Sequence, residues 1–231
     1  GYFATAVNTP QGEQLIISGD DMAAMLVKGA PDLTMFPVPM IIGDKAEMKV
    51  SVIDAKYTDI EGVEIAPSKG NINRQVNPDE VEFVYGEMYQ QDAFYPAQQV
   101  TMENPYILRD FRGQNIMVYP YAYNPVTKTL RVYNQMTIAM EKVGDNGMNP
   151  KMSRRNNVID SEMEASYQRR FINYNKSRYS FLEEQGEMLI VCVDEYLDEL
   201  QVLVDWKNIS GRPTSIVAAS TTGTLDNLKS Y

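Results

Sequence analysis

The sequence has no histidine and a single cysteine, Cys192, among its 231 residues. A cysteine nucleophile normally needs a neighbouring base, and imidazole is the usual base near neutral pH. A Cys-His catalytic dyad is therefore excluded within this chain, and one cysteine allows no internal disulfide. Because Cys192 lies between Val191 and Val193, we expect an inert thiol that packs as a small hydrophobic side chain. The sequence accordingly predicts no catalytic residue, no metal site and no cofactor.

Basic charge is also scarce, and long apolar runs are missing. The formal net charge is −10, which repels nucleic-acid phosphates and anionic lipid headgroups, so neither is an expected partner. No stretch approaches the roughly 18 to 20 apolar residues of a spanning helix, and we expect no membrane insertion. Residues 1–7 lack the basic start and apolar core of a signal peptide, so the chain is interpreted as processed or expressed without one.

Short runs of alternating apolar and polar residues extend from about Thr34 to Val143. This period is typical of half-buried antiparallel strands, and it is clearest from Leu130 to Met140, where only Asn134 interrupts it. The turn residues Asn124 and Pro125 stand just before this run, and they predict a hairpin between residues 114–123 and 129–140. We therefore predict a mainly β chain with an antiparallel, jelly-roll-like β-sandwich over residues 1–143.

A basic segment separates this domain from the rest of the chain. Residues 151–178 carry seven basic and three acidic side chains, which leaves −14 for the remainder. Residues 144–185 are therefore predicted to form an exposed linker, in which residues 159–172 form an amphipathic helix that either is simply solvated or docks on a partner.

The last part of the chain has an α/β pattern. Residues 188–193 form a continuous apolar run suited to a buried strand. A helix follows, with Asp194 expected to cap its start and Gly211 to end it, before a parallel strand at residues 214–218. Residues 186–231 are therefore predicted to be a truncated βαβ segment of an α/β domain.

Four sequence strings occur in order between residues 65 and 133: IAPSKGNINRQVNPD, VYGEMYQQDAFYP, PYILRDFRGQ and YNPVTKTLRVY. Together they resemble the propeptide of the gingipain cysteine peptidases, peptidase family C25, and in particular its arginine-specific branch. The string MLIVCVDEYLDELQVLVDW that starts at Met188 is similar to the opening of the caspase-like catalytic domain of that family. The resemblance implies an inhibitory and chaperoning prodomain of a secreted or cell-surface bacterial zymogen. The implied partner is the catalytic domain of the same precursor.

The resemblance also implies an inhibitory loop. The family pattern IxRxxNPD matches residues 72–79, with its later members at Asn77, Pro78 and Asp79. In arginine-specific members the basic residue of this pattern, here Arg74, enters the specificity pocket and blocks it. Lys69 is a competing candidate if the enzyme prefers lysine, and an ordinary solvated arginine is the alternative reading of Arg74.

A processing site is implied where the family separates propeptide from enzyme, between Arg178 and Tyr179. The alternative cut points are the pairs at residues 154–155 and 169–170, and Arg178 without any role is the other interpretation. Polar connecting segments are where proteolysis concentrates.

Two further groups of residues, one charged and one aromatic, each have an expected role. Arg109, Asp110 and Arg112 are expected to form an ion pair that braces a strand end. The rings at positions 85, 89, 94 and 95 are expected to be core or interface side chains. They also suggest the alternative function, a stand-alone β-sandwich adhesin or carbohydrate-binding module, for which the βαβ segment would have no use.

Overall fold

The computed structural model describes residues 2–152, 157–175, 180–181 and 186–223. The chain divides into two compact units. The first unit comprises residues 1–157 and 164–178, and the second comprises residues 158–163 and 179–231. The three-part division at residues 143 and 185 stays a prediction.

Short antiparallel strands build the first unit. They are β1 (Tyr2–Thr9), β2 (Gly12–Gly19), β3 (Ala23–Ala24), β4 (Thr34–Ile42), β5 (Glu47–Ile60), β6 (Val100–Met102), β7 (Tyr106–Leu108), β8 (Phe111–Val118), β9 (Tyr121–Asn124) and β10 (Thr129–Gly144). One sheet has the order β3-β4-β8-β6 with β7 also on β8, a second has the order β5-β10-β9, and β1 pairs with β2 alone. The predicted mainly β, antiparallel fold is confirmed.

Two apolar clusters hold these sheets together. The first joins β2, β9 and the start of β10, and its buried members are Ile17, Leu33, Ile65, Tyr121, Tyr123, Leu130 and Val132. The second takes side chains from both larger sheets, and its buried members are Val100, Ile116 and Val118. Packing of two sheets through their inner faces is what the alternating sequence pattern requires.

The long strand β10 contributes to both clusters, one on each side of a bulge. Its pairing with β5 shifts between Tyr133 and Gln135, which leaves Asn134 as the extra residue. Asn134 is the position at which the sequence pattern is interrupted. Leu130 lies before the bulge in the first cluster, and Met136 lies after it in the second.

The predicted hairpin is shorter than expected. β10 pairs with β9 from Thr129↔Asn124 to Val132↔Tyr121, but β8 pairs with β4 instead. Pro120 lies between β8 and β9. Proline has no backbone N–H and a fixed φ, so the strand that reads as continuous in sequence ends there and resumes in the other sheet.

The segment predicted to be an exposed linker is partly packed on the first unit. Helix α1 (Ser161–Arg170) forms where a helix is expected. Its Tyr167 and the following Phe171 are buried, and their rings lie 4.9 and 6.1 Å from that of Phe111. Three aromatic rings bury enough apolar surface to outweigh the solvation of the basic side chains around them.

The chain after α1 also seals the free edge of β4. The Asn173 amide accepts a hydrogen bond from Ile41 N at 2.8 Å and donates to Ile41 O at 2.9 Å. The backbone N–H of Ile172 donates to Pro39 O at 3.2 Å. A segment without strand conformation thus reproduces the hydrogen bonds of a neighbouring strand.

Arg112 is the largest fully buried side chain of the first unit, which differs from the predicted surface ion pair. Its guanidinium donates to the carbonyl oxygens of Gly43, Ala46, Met148 and Asn149 at 2.5 to 2.9 Å. Burial lowers the pKa of the Arg112 guanidinium, but an arginine stays charged in proteins.

The expected ion pair forms between Arg109 Nε and Asp110 Oδ2 at 3.8 Å. The guanidinium of Arg112 instead joins the β4–β5 turn to the turn that follows β10, and both turns leave carbonyl groups that no strand satisfies.

The second unit contains the predicted parallel βαβ arrangement. Strands β11 (Val158–Ile159) and β12 (Ser180–Phe181) pair in parallel, as do β13 (Met188–Cys192) and β14 (Thr214–Ala218), with α2 (Leu197–Ile209) between the latter two. The expected burial of β13 on both faces is wrong, because among the described residues β13 pairs with β14 alone and is exposed or half-buried along its length. Cys192 is its last residue and is half-buried.

The expected helix cap is wrong, because Asp194 does not cap α2. Its carboxylate instead accepts hydrogen bonds from the backbone and hydroxyl of Ser220, at the start of α3 (Ala219–Thr222). Among the described residues, no helix combines the length and apolar character that crossing a bilayer requires.

Replacing Arg112 by methionine is expected to lower the free energy of unfolding by about 3 to 5 kcal/mol. Methionine retains much of the apolar stem but leaves four carbonyl oxygens without their charged donor. Urea denaturation of the full chain measures the change. Lys56→Met, at an exposed position of β5, is the control and should cost less than about 1 kcal/mol. Equal losses in the two variants would contradict a structural role specific to Arg112.

Candidate inhibitory loop

The loop that carries Arg74 starts from a rigid base in the first unit. Residues 64–68 run beside β2 and the segment before β4, through backbone hydrogen bonds of 2.7 to 2.9 Å. These join Leu15 to Glu64 and Ala66, Asp32 to Ala66, and Ser68 to Ala30. These hydrogen bonds hold the chain where it leaves the core, and they orient the start of the loop.

Two glycines cross at the base and bring the ends of the loop together. Gly29 N donates to Ser68 O, and Gly86 N donates to Gly29 O, both at 2.9 Å. A side chain has no room at this crossing, because a Cβ on Gly86 would lie 2.8 Å from Gly29 O and one on Gly29 would lie 3.1 Å from Gly86 N. Gly29 also has φ +80°, a conformation that glycine adopts without cost.

At the tip, Asn73 folds the chain into a turn around Arg74. The Asn73 side chain accepts a hydrogen bond from Gln75 N at 3.1 Å, and its carbonyl accepts one from Val76 N at 2.9 Å. An Asx turn of this kind is stabilised by its own side chain and needs no contact with the core. Arg74 is exposed at this turn, and its side chain has no hydrogen bond or ion pair to any residue that the structure describes.

The NPD part of the pattern forms a second turn that returns the chain. The Asn77 side chain accepts a hydrogen bond from Asp79 N at 3.1 Å and caps the short 3₁₀ turn Pro78–Glu80. Proline suits the first position of such a turn because its missing N–H is not needed there. The three residues therefore act as local folding determinants, and all of them are exposed.

Lys69 is directed back into the loop. Its ammonium donates to Pro78 O at 2.7 Å and lies 4.4 Å from the centre of the Phe83 ring. The two basic residues that the sequence leaves as competing candidates thus differ in the structure, since Lys69 makes internal contacts and Arg74 extends from the tip.

The aromatic residues after the loop anchor its second end. Tyr85 Oη is 2.9 Å from Thr9 Oγ1 and 2.6 Å from Gln14 Oε1, and Tyr89 Oη donates to Ile65 O at 2.9 Å. Burial raises the pKa of Tyr89 well above that of a free phenol, so the ring remains a neutral donor.

These aromatic rings do not form the exposed platform that would favour a carbohydrate-binding module. Tyr89 and Tyr95 pack against the first apolar cluster. Phe94 stacks on the Arg131 guanidinium at 4.1 Å. This arrangement is the one expected of core and interface side chains.

The sequence surrounding Arg74 is acidic. Between residues 71 and 92 Arg74 is the single basic side chain. The acidic side chains in this range are Asp79, Glu80, Glu82, Glu87 and Asp92. No group of three or more acidic or cysteine side chains among the described residues is placed to hold a metal ion.

The predicted processing residues Arg178 and Tyr179 lie outside the described residues, as do Arg154 and Arg155. Arg169 and Arg170 form the last turn of α1, with Arg169 Nε bonded to Ala165 O at 3.2 Å. The processing site therefore stays a prediction.

Known proteins with similar sequences decide the family. The Propeptide_C25 family profile matches residues 3–181. The chain belongs to the C25 propeptide family. It is 36% identical over 217 residues to gingipain R1 of Porphyromonas gingivalis and 35% identical to gingipain R2 of the same organism, with 93% of this chain covered in both cases. It spans 22% and 29% of those two relatives.

Solved structures agree with this family. The complex of Porphyromonas gingivalis RgpB pro- and mature domains matches with a TM-score of 0.68 and 34% identity, over 75% of this chain and 88% of the matched chain. A structure that gives insight into the zymogenic latency of gingipain K matches with a TM-score of 0.53 and 20% identity, over 61% of this chain and 81% of the matched one. The second match supports the fold alone.

The sequence pattern located Arg74 and its turn residues, but it missed the parts that hold the loop. Gly29, Gly86 and Phe83 each looked ordinary, because their partners are distant in sequence. The sequence offered one signal, the glycines of VKGAP and VYGEM. Neither glycine ends a predicted helix or lies in a predicted strand, so each indicates a special backbone position.

Replacing Gly86 by alanine is expected to destabilise the base of the loop by about 1 to 3 kcal/mol, the usual cost of forcing atoms into a packed contact. The backbone at Gly86 has φ −78° and would accept alanine, so the cost comes from the 2.8 Å approach to Gly29 O. Thermal unfolding with amide hydrogen exchange of residues 68–86 measures it. Glu87→Ala, on the next and exposed residue, is the control. If Gly86→Ala exchanges like the original chain, the crossing does not hold the loop.

Proposed function

We propose that this chain is the inhibitory prodomain, with the start of the enzyme, of a gingipain-like cysteine endopeptidase zymogen, and that Arg74 occupies the specificity pocket of its catalytic domain. The observation that carries the proposal is an exposed arginine, free of internal partners among the described residues, at the tip of a loop whose two ends are clamped to a β core. Membership of the C25 propeptide family and the likeness to a complex of pro- and mature domains support it.

The chemistry of inhibition follows from the guanidinium. Arginine offers a planar fork of N–H donors that pairs with a carboxylate through two parallel hydrogen bonds. A pocket that selects arginine must contain such an acceptor. A loop that is already ordered loses little conformational entropy on entering that pocket, so more of the contact energy appears as affinity.

The difference between the two basic side chains favours Arg74 over Lys69 as the inserted residue. To enter a pocket, Lys69 would first give up a hydrogen bond to Pro78 O and its contact with the Phe83 ring. Charge-assisted hydrogen bonds are among the stronger ones. Arg74 gives up no such contact with the described residues.

The partner, location and second role of the chain are part of the same proposal. The partner is the catalytic domain of the same precursor, and the precursor is exported and acts outside the cell or at its surface. A sandwich that folds by itself also offers a template against which the catalytic domain can fold. The acidic sequence around Arg74 favours a partner surface that is basic outside its pocket.

Arg74→Ala in the full chain is expected to weaken inhibition of the mature peptidase by about 2 to 4 kcal/mol, the range for a central charged anchor. Arg74→Lys should recover only part of this, because an ammonium cannot form the planar fork. The measurement is the inhibition constant with increasing amounts of added chain. The original chain is expected to inhibit at sub-micromolar concentration.

A matched control separates the anchor from general charge effects. Arg109→Ala removes the same charge from a different turn of the first unit and should leave the inhibition constant unchanged. If Arg74→Ala inhibits normally while Lys69→Ala does not, Lys69 is the anchor and the enzyme prefers lysine. Absence of inhibition at tens of micromolar by the original chain would leave only a folding role.

Processing after Arg178 belongs to the same proposal, and the contrast with an arginine held inside a sheet supports it. Arg131 lies in the central strand β10, where it is paired to Asp59 on one side and Ala122 on the other. Its guanidinium also lies between the rings of Tyr57 and Phe94, at 3.9 and 4.1 Å. A protease needs about ten residues in an extended, accessible form, which a central strand provides only after unfolding.

Limited digestion of the full chain with an arginine-specific protease is expected to expose Tyr179 as a new N-terminus, identified by N-terminal sequencing. In the precursor the enzyme itself should make this cut. A first cut after Arg109, Arg112 or Arg131, with Arg178 resistant, would show that the processing site is misplaced.

A further inference from the structure

Lys69 closes the inhibitory loop into a ring, and this contact carries a further inference. The lysine stands nine positions before Pro78, and its ammonium donates to the Pro78 carbonyl at 2.7 Å. Arg74 lies near the middle of the enclosed residues 70–77. The chain between the two contact points contains the Asn73 turn, and the Pro78–Glu80 turn starts at the second contact point. The Lys69–Pro78 hydrogen bond therefore limits how far the two sides of the loop can separate.

Two other contacts make Lys69 a fixed element of the loop. The Phe83 ring lies 4.4 Å from its ammonium, which adds a cation–π interaction on the far side of Pro78. The same Pro78 carbonyl also accepts the N–H of Val81 at 3.3 Å, within the 3₁₀ turn. The Lys69 side chain therefore links the start of the loop to the turn at Pro78 and to Phe83, which leads back to the base.

The direction of the Lys69 side chain is itself determined by the backbone. Gly70 has φ +82°, and a Cβ there would lie 2.9 Å from the Cβ of Lys28. The chain therefore passes close to Lys28 and changes direction at Gly70, whose N–H donates to the Ser68 hydroxyl at 3.2 Å. The lysine that precedes this reversal stays at the mouth of the loop, where it can reach across to the returning chain.

We infer that Lys69 is a positioning residue that keeps the Arg74 loop closed, so that the loop binds an arginine-specific peptidase as an inhibitor and is cut slowly as a substrate. This inference rests on the proposed function for its inhibitory consequence. An exposed arginine in an open loop is a good substrate, since cleavage requires the chain to extend through the active site. A closed ring opposes that extension, and each opening must first break the Lys69 contacts.

The test compares Lys69→Met with Lys69→Arg and Phe83→Leu in the full chain, and Lys56→Met is the control. Methionine keeps the apolar stem without a donor, arginine keeps a charged donor, and leucine removes the ring alone. Lys56 is an exposed lysine of β5, away from the loop. If Lys69→Met fails to fold, Phe83→Leu still tests the contact.

The first readout needs no partner peptidase. Hydrogen exchange of the Val76, Glu80 and Val81 amides, which are bonded within the loop, should be about tenfold faster in Lys69→Met, the change expected when a charge-assisted hydrogen bond is lost. Cleavage after Arg74 by an unrelated arginine-specific protease should accelerate similarly. Phe83→Leu should show a smaller increase, Lys69→Arg should recover most of the protection, and Lys56→Met should match the original chain.

The second readout is inhibition of the mature peptidase. Lys69→Met should inhibit only transiently, with intact chain lost by cleavage after Arg74. Unchanged exchange and cleavage in Lys69→Met would overturn the positioning role, whatever Arg74 does. A loop that stays closed in Lys69→Met while inhibition disappears would also overturn it and make Lys69 the inserted residue. Faster exchange and cleavage without any inhibition by the original chain would support the closed ring and reject the proposed function instead.

Discussion

The buried guanidinium of Arg112 is the contact on which the packing of the first unit depends. It binds four backbone carbonyls from the β4–β5 turn and from the turn that follows β10. Without a donor at that position, both turns would bury carbonyl groups that no strand can satisfy. The neighbouring Phe111 packs against the rings of Tyr167 and Phe171, so two consecutive residues of β8 contact described parts of the segment that the sequence presents as a linker.

The arginines of the first unit fall into contrasting environments, and the contrast has functional meaning for a propeptide of this family. Arg112 has no exposed surface, and Arg131 is held by Asp59 between two aromatic rings. Arg74 lies on an ordered loop. The hydrogen bonds that order this loop are made by Lys69, Asn73 and Asn77 and not by Arg74 itself. Arg109 is partly exposed and paired with Asp110, and the exposed Arg169 and Arg170 lie in the last turn of α1.

Local patterns predicted the parts of the fold that depend on neighbours in sequence. Alternation predicted β10 and even the interruption at Asn134. The apolar run at residue 188 predicted the strand β13 but not its exposure, since Met188 and Leu189 are exposed. Contacts between distant residues left no such signal. The burial of Arg112 and the Gly29–Gly86 crossing each depend on backbone groups that any sequence carries. In the same way, the pattern around residue 74 identified the loop, but only the contact with Pro78 separated the roles of Lys69 and Arg74.

The sealed edge of β4 has a consequence for the solubility of the domain. An exposed strand edge offers N–H and C=O groups that can add a strand from another molecule and begin aggregation. On the outward side of β4, Pro37 and Pro39 have no N–H to offer, and the Asn173 amide occupies both groups of Ile41. The Pro39 carbonyl is taken by Ile172. Both capping residues precede Arg178 in the chain, so a propeptide released by cleavage there would carry its own edge protection with it.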